Sequence, residues 1–260
     1  MTDRLYCRES GASSATPLVL LHGFAGSHHV WDSVIEALGD EVWVLAYDLP
    51  GHGASLNYPG KPSAKAAAAA VLDDLRQRGI GQAHLGGHSM GGAASTLLAA
   101  TAPDIAASLT LFAPGGFDER INGPLLRRYA AARDTAALET CLREMSGPAA
   151  VIEPATVDRA LVMRLRDGQL DVFLELGAAI TRGDKQGVIP QDMISAIPCP
   201  MAMAWGTRDA VLPAPHLASL AAKISFEWID EAGHRLPEEV PEAVAEMLIR
   251  QMTVTSGTEL

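Results

Sequence analysis

The chain of 260 residues is long enough for one large domain with a well-buried core and room for an inserted sub-domain. Its formal net charge of −11 argues against nucleic acid and against anionic membrane surfaces as partners. Three widely spaced cysteines, Cys7, Cys141 and Cys199, make neither a disulfide framework nor a metal pattern, which points to a reducing compartment. Met1 to Arg4 open no charged-then-apolar leader, and no apolar run reaches membrane-spanning length, so a soluble cytoplasmic protein is expected.

Leu5 to Cys7 reads as one short strand. After a small-residue turn from Gly11 to Pro17, Leu18 to Leu21 is a continuous apolar run too short for a helix. Such a run fits a strand buried on both faces, as in a parallel sheet covered by helices. The loop His22-Gly23-Phe24-Ala25-Gly26-Ser27 leads into a helix from about His29 to Leu38, with Val30, Trp31, Val34, Ile35 and Leu38 on one stripe. A second buried strand, Val42 to Ala46, ends in the loop Tyr47 to Gly53. The alanine run Ala66 to Ala70, behind Ser63 and ahead of Val71, Leu72 and Leu75, reads as a helix packed close to a neighbour.

Ala83 to Leu85 is a strand that passes at once, through Gly86-Gly87-His88-Ser89-Met90-Gly91-Gly92, into a helical run from Ala93 to Ala100. Gly87 and Gly91 lack a Cβ and let strand and helix approach, which sets Ser89 on an exposed apex beside a helix N-terminus. Gly-x-Ser-x-Gly alone is weak evidence, since chance supplies it in roughly one chain in ten of this length. Leu109 to Phe112 is the next strand.

The strand–helix alternation breaks from Gly116 to Gly187. Four helical stretches follow one another there: Pro124 to Ala132, Ala136 to Met145, Pro154 to Arg166 and Leu170 to Thr181. A helical block inserted after a strand is expected to cap the strand ends. The sheet pattern resumes with Met201 to Trp205, a helix around Ala214 to Ala222, a strand at Phe226 to Ile229 and a final helix from Pro241 to Met252. The expected architecture is therefore α/β, a mostly parallel sheet of seven or eight strands, with residues 1–115 and 188–260 as core and 116–187 as a helical cap. Ligands in such sheets bind beyond the C-terminal strand ends.

A serine hydroxyl needs a base to take its proton, and the base needs a third group to fix its tautomer. Of eight histidines, His234 follows a strand after the elbow, behind Gly233. Asp209 closes the preceding strand in Gly206-Thr207-Arg208-Asp209, and the order Ser89, Asp209, His234 differs from those of chymotrypsin and subtilisin. Asp118, just after the strand ending at Phe112, is the alternative acid. The backbone N–H groups of Phe24 and Met90 are the candidate oxyanion donors. His22 reads as a residue that fixes its loop, and His88 as one that packs or hydrogen-bonds under the elbow.

Taken together, Leu20-Leu21-His22-Gly23-Phe24, Asp48-Leu49-Pro50-Gly51-His52-Gly53-Ala54-Ser55, Gly87 to Gly92, Trp205 to Asp209 and Ala232-Gly233-His234 resemble the motifs of the α/β-hydrolase superfamily. The resemblance implies an eight-stranded, mostly parallel sheet, a Ser-His-Asp triad and a helical lid. Two departures stand out: a single short strand precedes Leu18, where the superfamily has a hairpin, and Arg235 follows the histidine, where an aromatic or apolar residue is common. Ile121-Asn122-Gly123-Pro124 and the Ala131, Ala132, Leu138, Leu142 pattern resemble the hydrolase-like domain of acetoin dehydrogenase acetyltransferase components. No lipoyl-bearing domain is read in the sequence, so that kinship is taken as one of fold rather than of reaction.

A serine nucleophile sets the chain apart from the dehalogenase and epoxide hydrolase branches, which carry an aspartate there, and Met90 sets it apart from proline iminopeptidases. No metal constellation is expected, because His28 and His29 are adjacent and cannot share a helix face, and no cofactor is expected, because Gly86-Gly87 lacks dinucleotide spacing. The expected function is hydrolysis of a small-molecule ester, lactone or thioester. Leu125, Met145, Met163, Phe173 and Leu176 are candidate substrate-wall residues, with Arg235 as a candidate contact. Two other readings stay open: carbon–carbon hydrolysis of a diketone, which would want Arg127, Arg128, Arg164 or Arg235 to hold a carboxylate, and a non-catalytic receptor. Oligomeric state is left open.

Overall fold

The apolar runs become the centre of a seven-stranded sheet. The computed structural model describes residues 4–13, 16–215 and 222–256, and its strands are β1 (Cys7–Ser10), β2 (Leu18–Leu21), β3 (Val44–Tyr47), β4 (Ala83–His88), β5 (Ala106–Phe112), β6 (Met201–Gly206) and β7 (Ile224–Ile229). They lie in the order β1-β3-β2-β4-β5-β6-β7, and every pairing is parallel except β1 with β3. Every residue of β2, β3, β4 and β6 is buried, as expected of strands covered on both faces. The edge strand β7 is only part-buried and carries Ser225 and Glu227. Among the described residues β1 alone precedes β2, two residues later than the sequence suggested, and its antiparallel pairing closes the sheet edge.

Helices α1 (Asp32–Leu38), α2 (Ala64–Gln77) and α3 (Met90–Thr101) connect the strands. His28 to Trp31, expected as α-helix, form a 3-10 turn ahead of α1. Ser63 caps α2, its Oγ accepting the Ala66 N–H at 3.0 Å. The alanine run has a plain purpose: Ala67, Ala68 and Ala70 are buried and α2 packs on α3, itself lined by Ala93, Ala94 and Ala99. Small side chains let two helices lie close over the central strands.

Between β5 and β6 the chain forms α4 (Gly123–Ala131), α5 (Thr135–Met145), α6 (Pro154–Arg164), α7 (Gln169–Ile180) and the short α8 (Gln191–Ala196), the last unmarked by the sequence pattern. Asn122 caps α4 and Asp134 caps α5 through side-chain oxygens, while Pro124 and Pro154 occupy first-turn positions. Helices α4 to α7 pack on one another, and α8 packs on α3. The short α9 (Leu236–Glu239) was also unmarked; α10 (Pro241–Ser256) follows and packs on α1. The helix expected around Ala214 to Ala222 falls largely outside the described residues.

Several ties fasten the helical block to the strand-end loops. His234 N–H donates to Met145 O at 2.7 Å, and Gly147 N–H donates to Glu239 at 2.8 Å. Gln169 Nε2 donates to Gly51 O at 2.7 Å, and the Phe24 ring meets Tyr129 and Phe173 edge-on.

Candidate active site

The turn from β4 into α3 dictates the apex. A Cβ on Gly91 would sit 2.2 Å from Leu21 O, and one on Gly87 would sit 2.6 Å from both Gly91 O and Ser95 Oγ. Only glycine fits at either position. Ser89 then takes φ 53° and ψ −117°, a strained conformation for a residue with a side chain. Its backbone is held on both sides: Ser89 N–H donates to Phe112 O, and Ser89 O accepts from Ala93 and Gly115.

Three strand ends converge on that apex. His234 Nε2 lies 3.0 Å from Ser89 Oγ, and His234 Nδ1 lies 2.8 Å from Asp209 Oδ2. The other carboxylate oxygen of Asp209 accepts the N–H groups of Val211 and Leu212, both at 2.8 Å. The His234 and Asp209 side chains are buried. Those bonds fix the carboxylate so that Oδ2 accepts the Nδ1 proton and leaves Nε2 free to accept from the serine. Asp118, the alternative acid, is elsewhere: its oxygens take the Arg120 backbone and guanidinium.

The His234 loop has its own support, which sequence reasoning missed. Glu239 accepts the N–H groups of Gly233 and Arg235, which flank His234, and of Gly147, all at 2.8 Å. A glutamate five residues beyond a histidine carries no sequence signal, since its loop partners depend on the turn made by α9. His88 Nε2 donates to His234 O at 2.8 Å, and its ring lies 4.9 Å from that of His234. Burial, reinforced by the adjacent His234, keeps His88 well below the ordinary histidine range and therefore neutral.

The loop after β2 is shaped by two more neutral histidines. Leu49 N–H donates to His22 Nε2, whose Nδ1–H donates to Gly23 O; Ala25 N–H donates to His52 Nε2, whose Nδ1–H donates to Pro50 O. Burial lowers both, aided for His52 by the neighbouring His22, which brings it to about 3. The bond to His52 holds Ala25 at a positive φ of 54°. Gly23 lies tightly against the elbow, since a Cβ there would come to 3.0 Å from His88 Nδ1 and 3.1 Å from Ser89 Cβ. Among the described residues no protein acceptor takes the N–H of Phe24 or Met90. Asp48 closes the neighbouring loop by accepting from His28 N, the His28 ring and Ala54 N. Burial alone would raise its carboxyl, but those bonds outweigh it and hold the pKa at about 2.

The substrate-wall candidates divide. Met145, Met163 and Arg235 line a cavity of about 90 Å³ beside Ser89 and His234, and Leu176 lines a second cavity that also reaches Ser89. Leu125 and Phe173 are fully buried and line neither. Leu126 lines both in place of Leu125, and Phe173 packs on Phe24 and His52. Among the described residues no group of three histidine, cysteine or acidic side chains is placed to hold a metal, and no helix is long and apolar enough to cross a membrane.

The Alpha/beta hydrolase family profile matches residues 18–247. The chain belongs to the α/β-hydrolase family. The chain is 35% identical over 242 residues to the dihydrolipoyllysine-residue acetyltransferase component of the acetoin cleaving system of Pseudomonas putida, covering 93% of the chain and 64% of that component. It thus spans less than two thirds of that relative's length. It is 28% identical over 255 residues to the esterase Rv0045c of Mycobacterium tuberculosis, covering 90% of the chain and 82% of the esterase. The solved meta-cleavage product hydrolase of Pseudomonas fluorescens superposes with a TM-score of 0.82 at 16% identity, over 96% of the chain and 94% of that structure, a likeness of fold.

Proposed function

We propose that this hydrolase cleaves a small-molecule ester, lactone or thioester through an acyl-enzyme on Ser89. The observation that carries the reading is the unbroken hydrogen-bond series from Ser89 through His234 to Asp209 at a strained apex. Ser89 Oγ attacks the carbonyl while its proton passes to His234 Nε2, and Asp209 stabilises the imidazolium so formed. The carbonyl oxygen becomes an oxyanion facing the Phe24 and Met90 N–H groups, each contributing about 2.7–4 kcal/mol to such a state. His234 then gives the proton to the leaving group as the acyl bond breaks. A water, deprotonated by the same nitrogen, releases the acid and restores Ser89.

The carbon–carbon reading wants a cation free to hold a carboxylate, and the four candidate arginines are engaged. Arg235 binds Glu238 and Ser146, Arg128 binds Glu144, Arg127 binds Thr181 and Gly183, and Arg164 binds the Tyr129 and Ala160 carbonyls. Arg159, which also lines the His234 cavity, reaches Asp32 only at 3.7 Å and is the cation still open to that reading. The test is hydrolysis of p-nitrophenyl esters from acetyl to octanoyl by wild type and Ser89→Ala. Turnover is expected in the wild type and lost in the variant; a folded wild type that turns over none of them refutes the reading.

A further inference from the structure

Two cavities meet at Ser89, and among the described residues they share only Phe24, Ser89 and Leu126. One, of about 90 Å³, has His234, Arg235 and Glu238 in its wall. Past Ser27, His29, Arg159 and Met163 it adjoins an outer cavity of about 490 Å³ that adds Asp158 and Arg166. The other, of about 440 Å³, lacks His234 and is lined by Met90 and by apolar side chains that include Leu97, Ile121, Leu176, Ile180 and Val188. Apart from Ser89 its polar side chains are Ser63 and Arg182, which are solvent-exposed, and Gln186, which is half-buried with its amide bonded to Gly116 N–H and Asp118 O.

Proton transfer gives these two spaces different tasks. When the acyl bond breaks, its electron pair goes to the leaving oxygen or sulfur, which takes the proton held on His234 Nε2. That atom must lie within hydrogen-bond reach of Nε2. The leaving group therefore occupies the cavity that His234 lines, and the acyl substituent, on the other side of the same carbonyl carbon, extends into the cavity that His234 does not line. We infer that this enzyme takes esters or thioesters with an apolar, extended acyl chain and a small or polar leaving group. The inference rests on the proposed acyl-enzyme at Ser89 and adds the direction in which the substrate lies.

Direction is separable from hydrophobicity with isomeric esters. Ethyl octanoate and octyl acetate have the same formula and differ in the side of the ester bond that carries the long chain. The expected kcat/KM of the wild type is at least about tenfold higher for ethyl octanoate, a difference of a few buried methylenes. Filling the apolar cavity with Ile180→Trp, or at its exposed rim with Val188→Trp, is expected to lower that ratio, while Met163→Trp in the other cavity is expected to raise it. Two rim-to-core positions are used so that a misfolded variant does not decide the matter, with thermal melts recorded for each. A wild-type preference for octyl acetate, or a ratio that neither tryptophan at 180 nor at 188 changes, overturns the assignment while leaving the Ser89 reading intact. Loss of all ester turnover, p-nitrophenyl acetate included, overturns both.

Discussion

Replacing Asp209 by asparagine tests the proposed chemistry at its narrowest point. The Asp209 oxygen that accepts Val211 N–H and Leu212 N–H at 2.8 Å can be matched only by the amide oxygen of asparagine. The amide NH₂ is then turned toward His234 Nδ1, where the carboxylate had accepted at 2.8 Å. Two donors cannot face each other, so the imidazole shifts its proton to Nε2, the nitrogen 3.0 Å from Ser89 Oγ. A protonated Nε2 cannot act as base. The expected loss in kcat is about 10⁴-fold, equivalent to about 5.4 kcal/mol on the barrier, with little change in melting temperature because both backbone bonds persist. Asp118→Asn removes a partner of Arg120 and is expected to leave turnover within about twofold. The assay is p-nitrophenyl ester hydrolysis beside a thermal melt of each variant. Activity that survives in Asp209→Asn and disappears in Asp118→Asn would refute the assignment of the acid.

Acidification should destabilise the fold before the carboxylates respond. His52 is neutral when folded, at about 3, and ionises near 6.5 when unfolded, so the unfolded state takes up the extra proton and stability falls as pH drops from about 6.5 toward 3. His22 and His88 shift the same way. Between pH 6.5 and 4.5 His52 alone accounts for roughly 2–3 kcal/mol, and a urea midpoint that stays constant over that range would contradict it. The Asp48 contribution is lost lower, between about 4 and 2. Gly91→Ala drives a Cβ to 2.2 Å from Leu21 O and is expected to cost about 3 kcal/mol in urea unfolding and to displace Ser89. Glu239→Gln leaves at least one N–H around His234 unpaired; about 2 kcal/mol of stability and a fall in kcat larger than the change in KM are expected, and equal effects on both would point to a purely structural role.

How much of this was legible in sequence varies with the range of the interaction. The strand cores and the elbow were legible, because Leu18 to Leu21 and Gly87 to Gly91 encode burial and close approach locally. The convergence of Ser89, Asp209 and His234 followed from strand-end positions. Leu125 and Leu126 are both apolar and adjacent on α4, yet one faces the interior and the other the cavities. Successive residues on a helix point about 100° apart, so the choice depends on how α4 sits against α7, which no local pattern specifies. Glu239 was invisible for a similar reason: its three partners come from two loops and its value lies in where those loops meet. The late start of β1 and the short helices α8 and α9 lie below the length at which periodicity is readable.

The same geometry bears on why an acetyltransferase component is 35% identical to this chain over 242 residues. An acyl-enzyme is indifferent to its acceptor until the acceptor reaches the base. By microscopic reversibility the group that attacks the acyl-enzyme enters through the space the leaving group vacated, beside His234. On the proposed assignment that space is about 90 Å³, ample for water, and it continues past Ser27, Arg159 and Met163 into the outer cavity. Hydrolysis and transfer to a longer acceptor would therefore differ at this passage and not at the Ser89–His234–Asp209 series. Met163, which lines both spaces, belongs to helix α6, and α6 is joined through α5 to Met145, whose carbonyl holds the His234 N–H. A change in how the helical block packs would alter the width of the passage and the position of the base together.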